Sequence, residues 1–101
     1  EKLKDNPKIE LINVNKKNNP SYWVYTVKVQ NQKKFIEKMD KNNIMVSRVH
    51  ERNDKHSCVF KYVTKLPNID KMVEEMICLP VGWWVTKKEI KKIVKIINDG
   101  W

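Results

Sequence analysis

A chain of 101 residues has room for one domain with a modest core, and 41% hydrophobic with 33% charged residues places it among folded chains rather than disordered ones. Its longest apolar run is too short to span a bilayer and no signal-peptide pattern opens it, so a cytoplasmic location without a membrane partner is expected. The formal charge of +9 raises nucleic acid as a partner, but Arg48 and Arg52 are the only arginines and the lysines are scattered, which argues for a solvated surface instead.

Residues 8–14 alternate weakly, with Ile9 and Leu11 on one side while Ile12 and Val14 break step, and are expected to form an edge strand. Residues 16–21 read as a polar loop around Asn18, Asn19 and Pro20. Residues 22–29 carry a full strand pattern, with Trp23, Tyr25, Val27 and Val29 on one face and Tyr22, Val24, Thr26 and Lys28 on the other. Asn31 is placed to cap a helix running to Lys41 that turns Phe35, Ile36 and Met39 inward; Asn42 and Asn43 suit its left-handed exit.

A second strand is expected over residues 44–49, followed by a polar run. Residues 58–63 fit either a helical turn or a strand. Leu66 and Pro67 close that segment, and Asn68 is placed to cap a short helix with a stripe of Ile69, Met72, Val73 and Met76. Residues 77–81 read as a brief strand at a sheet margin, because Pro80 interrupts them. In the last helix Thr86 and Glu89 form a capping box, Ile90, Ile93, Val94 and Ile97 form the stripe, and Gly100 closes the end. Strands separated by single helices predict an α/β (α+β) fold: a two-layer sandwich with a small mixed or antiparallel sheet and helices on one face.

Chemistry concentrates in Ser47, Arg48, His50, Glu51, Arg52, Asn53, Asp54, His56 and Ser57, a run holding both arginines and both histidines of the chain. In extended backbone Arg48, His50 and Arg52 project to the same side. Two guanidiniums flanking an imidazole suit a phosphate or carboxylate; the alternative is a strand end whose Arg and Asp side chains pair locally. His50, His56 and Cys58 are close in sequence and Cys78 could approach them, but the spacing matches no standard zinc pattern. Val59 and Phe60 give Cys58 an apolar setting that argues against a nucleophile, and both cysteines are read as reduced, partly buried thiols. Trp83 and Trp84 follow Gly82 in a loop, with one expected to be buried and the other exposed, either for packing or for stacking on a sugar or base. With just Gly82 and Gly100, the chain carries no Gly-rich phosphate loop.

Taken in order, Ser21-Tyr22-Trp23-Val24-Tyr25-Thr26-Val27, the run Val46-Ser47-Arg48-Val49-His50-Glu51-Arg52-Asn53-Asp54, Leu66-Pro67, and Cys78-Leu79-Pro80-Val81-Gly82-Trp83-Trp84 before Thr86-Lys87-Lys88-Glu89 resemble the C-terminal region of the DegT/DnrJ/EryC1/StrS family. The resemblance covers about residues 21–99. It implies a sugar aminotransferase of the fold-type I class, in which pyridoxal phosphate (PLP) is held by a lysine of a large domain. An amino group passes from glutamate to a keto sugar on a nucleotide diphosphate, at a homodimer interface.

By position in the family, Ser47, Arg48, His50, Arg52, Asn53 and Asp54 would lie nearest the bound sugar nucleotide. No lysine of this chain stands in the family's cofactor context, so no cofactor is expected on the chain itself and no catalysis from it alone. The resemblance divides the chain into a connecting segment, 1–20, and the small domain, 21–101, with residues 1–5 resembling the end of a connecting helix. The chain is expected to be a piece of a longer enzyme whose large domain and second subunit are its partners. A basic nucleic-acid-binding module, with Tyr22, Trp83 and Trp84 as stacking residues, or a scaffold module is the alternative.

Overall fold

The computed structural model describes residues 2–15 and 17–101. Expectations touching Glu1 and Lys16 lie outside the described residues. Three strands, β1 (Ile9–Leu11), β2 (Tyr25–Val29) and β3 (Met76–Leu79), form an antiparallel sheet in the order β1-β2-β3. Ile9 pairs with Val29, Val27 with Ile77 and Tyr25 with Leu79, so the apolar side chains of all three strands share one face. On the reverse face Lys28 Nζ meets Glu10 Oε1 at 2.6 Å, and Thr26 Oγ1 lies 3.4 Å from Cys78 Sγ.

Helices α1 (Gln32–Asp40) and α3 (Lys87–Asn98) cover the apolar face. Phe35 and Met39 from α1 and Ile93 and Ile97 from α3 join Val27, Val29 and Ile77 in one core, as a two-layer α+β sandwich requires. Local chemistry sets the helix ends. Asn31 takes a left-handed conformation at φ 51° and its side chain accepts the Lys34 N–H; Asn43, at φ 56°, makes the exit, and Gly100, at φ 83°, ends α3. Both halves of the Thr86–Glu89 capping box are present. Val94 is half-buried, but Ile90 is exposed, so the expected stripe is dry only at its C-terminal half.

Leu3 and Ile9 also belong to the core, and residues 2–5 form turns. At the other end Trp101 sets its indole edgewise on Phe35, with ring centroids 4.8 Å apart, and donates from Nε1 to the Gln30 carbonyl at 2.7 Å.

Several expected elements are shorter or different. The strand over 22–29 begins at Tyr25, because its cross-strand partners end at Leu79 and Leu11; Trp23 stands 74% exposed rather than on the core face. The strand over 44–49 reduces to a single bridge, Ser47 with Cys78. The flanking pairs are blocked: Pro80 has no N–H to give, and Met76 spends its N–H on Met72 and its carbonyl on Gln32. Residues 58–63 settle as helical turns, since 3-10 helices run over Asn53–Lys55 and Ser57–Tyr62. Asn68 is not the cap of the next helix. Leu66 holds that position and Pro67 opens α2 (Pro67–Glu75), where its missing N–H costs nothing. The α2 stripe is not a core stripe: Ile69 is exposed, Met72 and Val73 are half-buried, and Met76 belongs to β3.

Candidate functional site

The polar run leaves the sheet at Ser47. Its backbone exchanges hydrogen bonds with Cys78, Ser47 N–H to Cys78 O at 3.3 Å and Cys78 N–H to Ser47 O at 2.8 Å. Beyond that bridge nothing pairs with the strand, and the chain enters the first 3-10 turn at Asn53, whose carbonyl accepts the His56 N–H. From residue 45 to residue 76 no side chain is buried. Polar contacts hold this arm together with a few half-buried apolar side chains, Val46, Met72 and Val73.

Arg52 is the centre of those contacts. Its Nε donates to Asp54 Oδ1 at 2.7 Å, its Nη2 meets Asp54 Oδ2, and its Nη1 reaches Asp70 Oδ1 in the first turn of α2. The Arg52 side chain keeps 15% of its exposure, much less than the 58% of the neighbouring Glu51. The hydrogen bonds it donates to Asp54 and then Asp70 hold the guanidinium protonated far above its ordinary range. In return the guanidinium pulls the Asp54 carboxyl below the usual carboxylate range, against the opposing cost of desolvation. Glu51 is lowered too, first by its hydrogen bond from Lys55, whose Nζ stands 3.3 Å away.

Of the two arrangements open from the sequence, the local pairing of Arg and Asp is the one formed at Arg52. The three guanidinium nitrogens are already donating to carboxylates, so Arg52 and Arg48 do not make a two-armed anion clamp. Arg48 is exposed, and among the described residues it makes no ion pair. His50 is exposed as well and meets Trp23 edge to face, with ring centroids 5.9 Å apart. Ser47, Arg48, His50, Arg52, Asn53 and Asp54 thus lie along one arm, on which Arg52 and Asp54 are joined side chain to side chain. Sequence reasoning passed over Trp23 and Asp70 here. The two-residue strand period sets Trp23 on the core face, and Asp70 lies 18 residues from Arg52, a distance no local pattern spans.

Trp83 and Trp84 are both exposed, at 93% and 64%, so neither is the buried partner expected of the pair. Their rings stand perpendicular with centroids 5.8 Å apart. Trp84 folds back over Gly82, where a Cβ would lie 2.5 Å from the ring atom Cη2; the glycine is what lets the indole sit there. A separate apolar cleft of about 300 Å³ opens between the sheet and α3, lined by Leu3, Tyr25, Leu79, Pro80, Val81 and Ile90.

Cys58 is exposed rather than partly buried, whereas Cys78 is buried. Among the described residues no three His, Cys, Asp or Glu side chains converge as a metal site would need, and no helix is long and apolar enough to cross a membrane. Nor do these residues fit PLP. Burial in an apolar pocket is one way a protein activates the lysine that carries a carbonyl cofactor, and among the described residues none of the lysines is buried.

Three solved structures resemble this fold. AtS13 from Actinomadura melliaura matches 99% of the chain at 39% identity with a TM-score of 0.93. CalS13 from Micromonospora echinospora, described as a sugar aminotransferase, matches 99% at 32% identity with a TM-score of 0.93. TlmJ from Streptoalloteichus hindustanus, described as an aminotransferase, shares the fold over 97% of the chain at 14% identity and a TM-score of 0.84. The chain spans 27% of the length of each. No curated protein matches in a sequence search. The family model for DegT/DnrJ/EryC1/StrS aminotransferases matches residues 1–98, and the chain belongs to that family.

Proposed function

We propose that this chain is the C-terminal small domain of a PLP-dependent aminotransferase acting on a keto sugar carried by a nucleotide diphosphate. The observation that carries the reading is the match of nearly the whole chain to 27% of a structure described as a sugar aminotransferase. Residues 1–20 lead in from the large domain, and residues 21–101 cover the substrate site. The cofactor supplies the electron sink, and it belongs to the large domain and its second subunit; glutamate is the amino donor. This chain contributes recognition. Ser47, Arg48, His50, Arg52, Asn53 and Asp54 form the run that faces the sugar nucleotide, with the exposed Arg48 guanidinium available to a diphosphate and the exposed Trp23 indole, which His50 meets edge-on, offering a face to a sugar or base. The chain alone is inactive.

The test uses the complete enzyme carrying these residues. His50→Ala should lower kcat/KM for the sugar nucleotide on the order of tenfold while PLP occupancy, read by its absorbance, stays at the wild-type level. Equal loss of both would count against the assignment. The isolated chain, incubated with PLP and reduced with borohydride, should carry no pyridoxyl group; a labelled lysine on it would sink the reading.

A further inference from the structure

We propose that Arg52 is a positioning residue, whose guanidinium, shared by Asp54 and Asp70, pins residues 48–54 to the first turn of α2 and thereby aims Arg48 and His50. The aiming of a ligand-facing pair rests on the function proposed above; the clamp rests on geometry alone. Arg52 donates from Nε and Nη2 to Asp54 and from Nη1 to Asp70, so both edges of the fork are occupied. Two carboxylates and one guanidinium sum to a negative trio, so Arg52 brings no net positive charge of its own to an anion.

The clamp has work to do because apolar packing along the arm is sparse, with Val46 against the core and Met72 and Val73 half-buried. The arm over residues 48–75 contains no buried side chain; it leaves the sheet at the Ser47–Cys78 bridge and rejoins it at Met76, where Gln32 donates to the Val73 and Met76 carbonyls. The contact joins residues 18 positions apart, the 3-10 turn on one side and α2 on the other. Neighbouring cations are committed elsewhere: Lys55 Nζ to Glu51 at 3.3 Å and Lys71 Nζ to Glu75 at 3.9 Å. Asp70 is held in turn by its place in the first turn of α2, where a carboxylate is favoured by the helix dipole. A lysine at position 52 has a single nitrogen and could not keep the two-point contact with Asp54 while reaching Asp70.

Hydrogen–deuterium exchange of the longest polypeptide that carries these residues tests the clamp, read on peptides from 48–56 and from α1. Arg52→Lys and Asp70→Asn should each speed exchange over 48–56 roughly tenfold with α1 unchanged, and the double variant should be no faster than either single one. Asp70→Glu, which keeps the carboxylate, should restore slow exchange, a rescue that general unfolding would not produce. Arg48→Lys should leave exchange over 48–56 at the wild-type rate. If Asp70→Asn leaves 48–56 as slow as in the wild type, the clamp is overturned.

Steady-state kinetics separates aiming from direct contact. Arg52→Lys and Asp70→Asn should raise KM for the sugar nucleotide by a common factor with kcat kept. A rise in Arg52→Lys alone would make Arg52 a direct ligand and end the proposal. Absence of any sugar-nucleotide turnover in the wild type, with the exchange coupling intact, would instead sink the functional reading and leave the clamp standing.

Discussion

Asp54 shows how a single side chain carries the state of the arm. Its carboxyl lies below the ordinary aspartate value of 3.8, first because Arg52 donates to it and then because of the guanidinium charge, with desolvation opposing both. A depressed acid stabilises the fold fully above its unfolded value and stops doing so as pH falls through the folded one. The Arg52–Asp54 contact should therefore hold from neutral pH down to the ordinary carboxylate range and be lost only below it. Titration of the Asp54 carboxyl carbon by NMR checks this: a midpoint below 3.8 in the wild type, returning toward 3.8 in Arg52→Ala, is expected. A wild-type midpoint at or above that value would show that the pair does not form in solution. The types and order of these residues were legible in the sequence. That Arg52 turns to Asp70 was not, since the contact depends on where α2 lies.

At the scale of elements, the chain reads well wherever both signals of a boundary sit within one turn. The α3 start is the example, with Thr86 accepting the Glu89 N–H at 3.3 Å and Glu89 accepting the Thr86 N–H at 2.7 Å. The Glu89 carboxyl is accordingly lowered, first by the Thr86 hydroxyl. Replacing Thr86 by Ala should cost about 1 kcal/mol, measured as a shift of the denaturation midpoint at unchanged slope. No shift would mean that the cap is redundant with packing further along α3. The start of α2 misled for a related reason. Leu66-Pro67-Asn68 carries two competing start signals, and proline at the first helical position outranks asparagine one residue later because its φ is already helical. Strands were harder still: whether 22–24 and 45–49 join a sheet depends on partners elsewhere in the chain.

For the whole molecule, the core and the arm behave as different kinds of structure. The extents of 48 × 35 × 27 Å and a radius of gyration of 15.4 Å exceed the value of about 13 Å for a compact chain of this length. The arm, with Phe60, Tyr62, Val63, Leu66 and Ile69 exposed along it, accounts for apolar surface that the sandwich does not cover. Stability is concentrated in the sheet and its two helices. Phe35, fully buried between α1 and the sheet and edged by Trp101, anchors it. Phe35→Ala should cost about 3–5 kcal/mol, a large part of what a domain of this size possesses. Chemical denaturation measures it, and a cost under about 1 kcal/mol would mean that the core repacks around the gap.

The sequence by itself determined the fold class, the α1 and α3 boundaries, the inward faces of β2 and α1, and the family, because each rests on residues close together or on motifs in a fixed order. Tertiary structure alone decided that the 44–49 segment stops at one bridge, that Trp23, Trp83 and Trp84 stand in solvent, and that Arg52 answers to Asp70. Those outcomes turn on which backbone groups are already spent, at Met76 and Pro80, and on which carboxylate a distant helix presents. Periodicity records what a residue offers its neighbours in sequence. It carries no record of what the rest of the chain has left unpaired.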